Sequence, residues 1–198
     1  MDNSKRWEEF LTGDKNAFSV IFLDYYDDLY NYGVKLCHQN DIVKDSIQDL
    51  FLKLWKNRNN LNPVNTVKPY LFKSLRHHIL DSLALRKNFL QIEDSFEGSV
   101  FDITFTNEDF LANSQVKEDV KFNVIKVLNG LSSRQREAIY LRYFEKLDFD
   151  TIAGVMDMNV QSVRNTIHRG LEVMRETMLV EAFFIMLWKE ELLSPLFS

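Results

Sequence analysis

The sequence predicts an all-α protein: two small helical domains joined by an acidic linker. Three observations carry that expectation. Six Gly and three Pro in 198 residues leave little material for the turns of a β fold, and period-two alternation shows only briefly, around Val100 to Phe105. Apolar side chains recur at helical spacing through most of the rest. Charge is also partitioned: the net −5 divides into +2 over residues 1–90, −6 over 91–121, +2 over 122–175 and −3 over 176–198. A hydrophobic content of 45% and an aromatic content of 13% suit packed cores, in a chain long enough for one or two of them.

Within residues 1–90, Phe18, Ile21, Phe22, Tyr25, Leu29, Tyr32 and Leu36 trace one helical stripe. A second helix follows from about Asp41, with Ile47, Leu50, Phe51, Leu54 and Trp55 as its core face. Its outer face carries Asp45, Gln48, Asp49, Leu52 and Lys56. Leu52 is the odd member of that set. Single exposed leucines are common, but one flanked by Gln48 and Asp49 is a candidate anchor for a protein partner. The loop Asn57 to Thr66, with five asparagines and Pro63, cannot be regular helix throughout. A third helix from about Val67 then mixes Lys68, Lys73, Arg76 and His77 with Tyr70 and Phe72. Cations beside rings suit unpaired nucleic acid, since rings stack on bases while cations hold phosphates. For the two rings alone, a place in the core is the preferred reading.

Residues 91–121 are acidic, irregular and dotted with Phe, which reads as a solvated linker. The domain at 122–175 contains LSSRQREAIYLRYFEKL and then two short helices around a tight turn. Asp148 caps the first, whose apolar face is Ile152, Val155 and Met156, and Ala153 sits where two helices approach. Asp157-Met158-Asn159 makes the turn, because Asp and Asn tolerate left-handed backbone angles, and Asn159 caps the second helix. That helix buries Val160, Val163, Ile167, Leu171 and Met174, which turns Gln161, Asn165, His168 and Glu172 outward between Arg164 and Arg169. This is a helix-turn-helix, whose second helix enters the major groove, where Gln and Asn read base edges and Arg reads guanine or holds phosphate. The segment 176–198 is apolar and acidic. It packs on the chain's own domains, or it docks a regulator.

Catalysis finds no foothold. Cys37-His38 and His77-His78 lack metal-ligand spacing, and no phosphate loop or nucleophile elbow is present. No catalytic residue, metal or cofactor is therefore expected, and the chain is read as not an enzyme. A single cysteine, an N-terminus without a signal peptide, and an apolar run (Ala182 to Trp188) too short to span a bilayer point to the cytoplasm.

Three segments in order resemble one family. DIVKDSIQDLFLKLWKNR is similar to the core-polymerase-binding part of region 2 of bacterial sigma factors of the small, extracytoplasmic-function type. KPYLFKSLRHHILDSLALRKN resembles the part that melts and reads the minus-ten promoter element, and LSSRQREAIYLRYFEKLDFDTIAGVMDMNVQSVRNTIHRGLEVMR resembles region 4, which reads the minus-35 element. The resemblance covers roughly residues 10–90 and 120–175. It implies a promoter-specificity subunit with core RNA polymerase, promoter DNA and an anti-sigma factor as partners.

Carried over by position, Asp45, Gln48, Asp49, Leu52 and Lys56 would meet the clamp helices of the polymerase largest subunit. Asn59 and Asn60, in a loop that captures a flipped base, and Tyr70, Lys73, Arg76 and His77 would hold the minus-ten strand. Gln161, Ser162, Arg164, Asn165, His168 and Arg169 would face the minus-35 duplex. The resemblance also implies that Glu93, Asp94, Asp102, Glu108 and Asp109 of the linker occupy a basic path meant for RNA. The chain departs from the family in having His77 where Asn is frequent and Asp157 where the turn usually has Gly. The alternative is a free-standing helix-turn-helix regulator, which the weak positive charge of both domains disfavours.

Overall fold

The computed structural model describes residues 3–64, 66–90, 103–106 and 118–177, and these contain eight α-helices and no strand. The chain divides into two compact units, the first centred on residues 1–101 and the second on 102–153 and 158–198. The linker acids Glu93, Asp94, Asp102, Glu108 and Asp109, and the tail from residue 178, lie outside the described residues. No helix among the described residues is long and apolar enough to cross a membrane.

The first unit holds α1 (Asn3–Leu11), α2 (Lys15–Cys37), α3 (Asn40–Asn57), a 3-10 turn (Arg58–Asn60) and α4 (Val67–Leu90). Helix α1 was not among the elements expected from sequence. It is held by Trp7 and Phe10, each 1% exposed. The Trp7 indole N–H donates to the Asn62 carbonyl at 3.2 Å, and its ring meets Tyr70 edge-on at 5.5 Å. Asp14 starts α2 by accepting the backbone N–H groups of Asn16 at 2.7 Å and Ala17 at 3.3 Å. Leu29, Tyr32 and Leu36 of α2, Val43, Ile47 and Leu54 of α3, and Leu71, Phe72 and Ile79 of α4 close the core.

Gly33 lets these helices meet. A Cβ there would lie 2.6 Å from Val43 Cγ1 and 3.3 Å from Ile79 Cδ1. Val43 is β-branched and cannot rotate aside cheaply. Gly33→Ala is therefore expected to destabilise the protein by about 1–3 kcal/mol, and Val43→Ala in the same chain to restore part of that. Urea midpoints of the two variants check both statements, and an undiminished midpoint for the single variant would contradict the close approach.

Two expectations change in this unit. Phe18, Phe22 and Trp55, expected in the core, are only half-buried: Phe10 of α1 meets the rings of Phe18 at 5.5 Å and Trp55 at 6.4 Å, but all three side chains still line an open groove. Phe72 is fully buried and stacked on Tyr32 at 4.9 Å, as its core reading expects, whereas Tyr70 is half-buried beside Trp7.

The second unit holds α5 (Glu118–Asn129), α6 (Ser133–Ile139) continued by a π-helical turn (Tyr140–Phe144), α7 (Phe149–Met156) and α8 (Val160–Thr177). The reading of the linker as solvated fails at residues 103–106. Ile103 and Phe105 are buried, while Thr104 between them is half-buried and Thr106 is exposed. The brief alternation in the sequence is thus an extended segment with one face covered. The Asn129 side chain clips it like a strand partner: its amide oxygen accepts from Phe105 N–H at 2.8 Å and its amide nitrogen donates to Phe105 carbonyl at 3.0 Å.

Ser132 and Gln135 form a capping box that starts α6. Gly170 then lets α8 cross α6, since a Cβ would lie 2.9 Å from Ile139 Cδ1.

Candidate nucleic-acid and protein interfaces

The turn between α7 and α8 is built by local chemistry. Asp148 Oδ1 accepts the Thr151 backbone N–H at 2.7 Å, and that hydrogen bond to the ionised form holds the Asp148 carboxyl below its ordinary pKa. Asp157 stands at φ 53°, in the left-handed region where Asp is tolerated. Asn159 Oδ1 then accepts the Ser162 N–H at 2.7 Å and starts α8. With Val163, Ile167, Gly170 and Met174 buried, Gln161, Arg164, Asn165, His168 and Arg169 are all exposed, and Ser162 is half-covered. Val160 and Leu171 are half-buried at the edges of the stripe.

Two links run along the exposed face. Gln161 Nε2 donates to Asn165 Oδ1 at 2.9 Å, and His168 Nδ1 lies 3.4 Å from Glu172 Oε2. Both are solvent-exposed pairs that can be exchanged for other partners at little cost. The Arg164 guanidinium lies 4.4 Å from the centre of the Phe149 ring, and that of Arg142 lies 4.8 Å from the same ring. Neither Arg142 nor Phe149 was singled out in the sequence, because nothing local in either stretch pairs them.

On the first unit, Asp45, Gln48, Asp49, Leu52 and Lys56 share the exposed side of α3, with Leu52 59% exposed. Gln48 and Leu52 also line an apolar groove of about 610 Å³ between α2 and α3, with Phe18, Phe22 and Tyr26 on one wall and Phe51 and Trp55 on the other. Lys15 and Lys44 are among its lining residues. Sequence reasoning assigned Phe18, Phe22 and Trp55 to a core. No local signal separates them from it, since Phe18 and Phe22 fall on the same helical stripe as Leu29 and Leu36.

Asn59 and Asn60 are exposed on the 3-10 turn. Arg58 braces that turn by donating to the Trp55 carbonyl at 2.8 Å and lying 4.6 Å from the Trp55 ring. On α4, Tyr70, Lys73 and His77 fall within one narrow arc, while Arg76 is turned about 100° away from His77. Tyr70 and Lys73 are half-buried and His77 is exposed. Neighbouring His78 is half-buried, and that burial, followed by nearby Lys53, lowers its pKa.

These two units match two models of one family. Residues 21–88 match Sigma-70 region 2, and residues 121–174 match Sigma-70, region 4. Together they span more than half of the chain, in the order the family uses. The chain belongs to the sigma-70 family. More narrowly, it is a sigma factor of the extracytoplasmic-function type.

Among relatives of this sigma factor, the RNA polymerase sigma-H factor of Pseudomonas aeruginosa is 25% identical over 172 residues, covering 83% of this chain and 88% of the relative. The ECF RNA polymerase sigma factor SigW of Bacillus subtilis (strain 168) is 20% identical over 180 residues, covering 87% of this chain and 94% of SigW. Among solved structures, the fold is similar to the sigma factor RpoE, co-crystallised with the anti-sigma factor NepR from Bartonella quintana. That match has a TM-score of 0.58 and 21% identity, and it covers 81% of this chain and 95% of the other. CnrH, solved with the cytosolic domain of CnrY, gives a TM-score of 0.57 at 16% identity, covering 89% of this chain and 96% of CnrH. As a sigma factor, the chain is a promoter-recognising subunit, and the free-standing regulator is not favoured.

Proposed function

We propose that this sigma factor acts in the cytoplasm, has no catalysis of its own, and works by binding on three faces. The α3 face with Asp45, Gln48, Asp49, Leu52 and Lys56, together with the groove beside it, docks on core RNA polymerase. The loop with Asn59 and Asn60, joined by Tyr70, Lys73, Arg76 and His77, holds the opened minus-ten strand. The outward side of α8, with Gln161, Ser162, Arg164, Asn165, His168 and Arg169, reads the minus-35 duplex. The domains responsible are residues 1–90 and 122–175, with 91–121 as linker. An anti-sigma factor governs the protein, a reading supported by the complex of RpoE with the anti-sigma factor NepR.

The observation that carries this reading is the apolar groove between α2 and α3 with Leu52 exposed beside it. A free-standing regulator has no use for an aromatic groove that no described residue fills, on the unit that does not carry its helix-turn-helix, whereas a subunit of a larger enzyme does. Both DNA-facing modules are only weakly basic, so the affinity each lacks has to come from the polymerase.

Run-off transcription with core polymerase over a pool of genomic promoters tests the proposal. Transcripts are expected only when polymerase and this chain are both present. Tight binding of the chain alone to a duplex operator, with no polymerase-dependent transcript, would favour the regulator instead.

A further inference from the structure

We propose that Phe149 is a positioning residue for promoter recognition: its ring holds the Arg164 guanidinium in place before DNA arrives. The inference rests on the reading of α8 as the minus-35 helix and goes beyond it, since Phe149 is not on α8. Arg164 projects from the exposed side of α8, and a long exposed arginine normally samples many rotamers, all but one of which are lost on binding. Here the guanidinium lies 4.4 Å from the Phe149 ring centre, within cation–π range.

The ring is itself held. Phe149 is the first residue of α7, immediately after Asp148, whose carboxylate accepts the Thr151 N–H and sets the start of that helix. Arg142 lies 4.8 Å from the same ring and is tied down by donating to the Leu147 carbonyl at 2.9 Å. Phe149 is half-buried and lies outside the Phe105–Tyr140–Phe144 ring cluster of this unit, so filling the core does not account for a ring at this position. Two guanidinium groups on one ring would repel each other in its absence, and Arg164, the more exposed, would swing out. A ring that fixes the guanidinium beforehand removes an ordering cost from binding and narrows the set of bases it can satisfy.

The test is run-off transcription with core polymerase on one promoter recovered from the genomic pool, with its minus-35 element substituted base by base. Wild type is compared with Phe149→Leu, Phe149→Tyr and Arg164→Ala in the full chain. Phe149→Leu is expected to lower minus-35-dependent transcription about two- to fivefold, the scale of one exposed cation–π contact. It should also flatten base preference at the same positions as Arg164→Ala, while Phe149→Tyr keeps both amount and preference. On a promoter with a scrambled minus-35 element the two Phe149 variants should equal wild type.

If Arg164→Ala changes the profile and Phe149→Leu does not, the positioning role falls and the reading of α8 stands. The same holds if Phe149→Leu weakens every promoter alike, scrambled ones included, because that is loss of folding. If Arg164→Ala leaves the profile unchanged, the reading of α8 falls and the positioning role with it.

Discussion

Trp7→Ala is expected to cost the first unit about 3–5 kcal/mol, the range for removing a fully buried large aromatic side chain. Domains of this size have roughly 5–15 kcal/mol in total, so one substitution removes a large share. Trp7 is 1% exposed and meets Phe10 at 5.0 Å and Tyr70 at 5.5 Å between ring centres. Its indole N–H is also committed to the Asn62 carbonyl. The truncation therefore opens a cavity beside α4 and leaves a carbonyl of the loop without its donor. Trp7→Phe separates the two effects, keeping most of the ring packing and losing the hydrogen bond, for about 1–2 kcal/mol.

Urea unfolding of the full chain followed by circular dichroism reads these changes. A Trp7→Ala midpoint equal to wild type would mean that α1 does not belong to the core. Function is predicted to follow stability here. Asn62 sits in the loop after Asn59 and Asn60, and Tyr70 leans on the same ring, so loss of Trp7 should weaken minus-ten contacts before any effect at minus-35.

Leu52→Asp is expected to have the opposite signature, with large loss of polymerase binding and almost none of stability. Leu52 is 59% exposed, so the free protein should change by no more than about 0.5 kcal/mol. In the docked state a carboxylate at this point would have to lose water against an aromatic groove. That penalty is about 2–3 kcal/mol, on the order of a hundredfold in affinity. Leu23→Asp is the matched control, since Leu23 is 71% exposed on α2 and does not line the groove. Titration of labelled protein with core polymerase measures both. Equal affinities for the two variants would remove the docking role from this face.

Much of the second unit was legible because its signals are local. The caps at Asp148 and Asn159, the left-handed Asp157 and the buried Val163 and Ile167 each depend on neighbours within a few residues, and each stands where the sequence places it. The capping box of Ser132 and Gln135 is an equally local signature. Helix α1 was harder. It has only Trp7, Phe10 and Leu11 as an apolar set, among charges, and its partners lie far along the chain at Asn62 and Tyr70. Phe105 stands in a run that reads as solvated, because nothing near it announces that Asn129 pairs with its backbone.

By itself, then, the sequence determined the helical class, the division into two units, the chemistry of the α7–α8 turn and the family to which the chain belongs. Tertiary structure alone decided how much of each apolar stripe is covered. Phe18 and Phe22 continue the same periodicity as Leu29 and Leu36, yet two become groove and two become core, because burial depends on which distant helix arrives to cover them. Arg142, Phe149 and Arg164 likewise belong to three separate elements of one unit. Only folding brings their charges and ring to within 5 Å, and no period in the sequence records it.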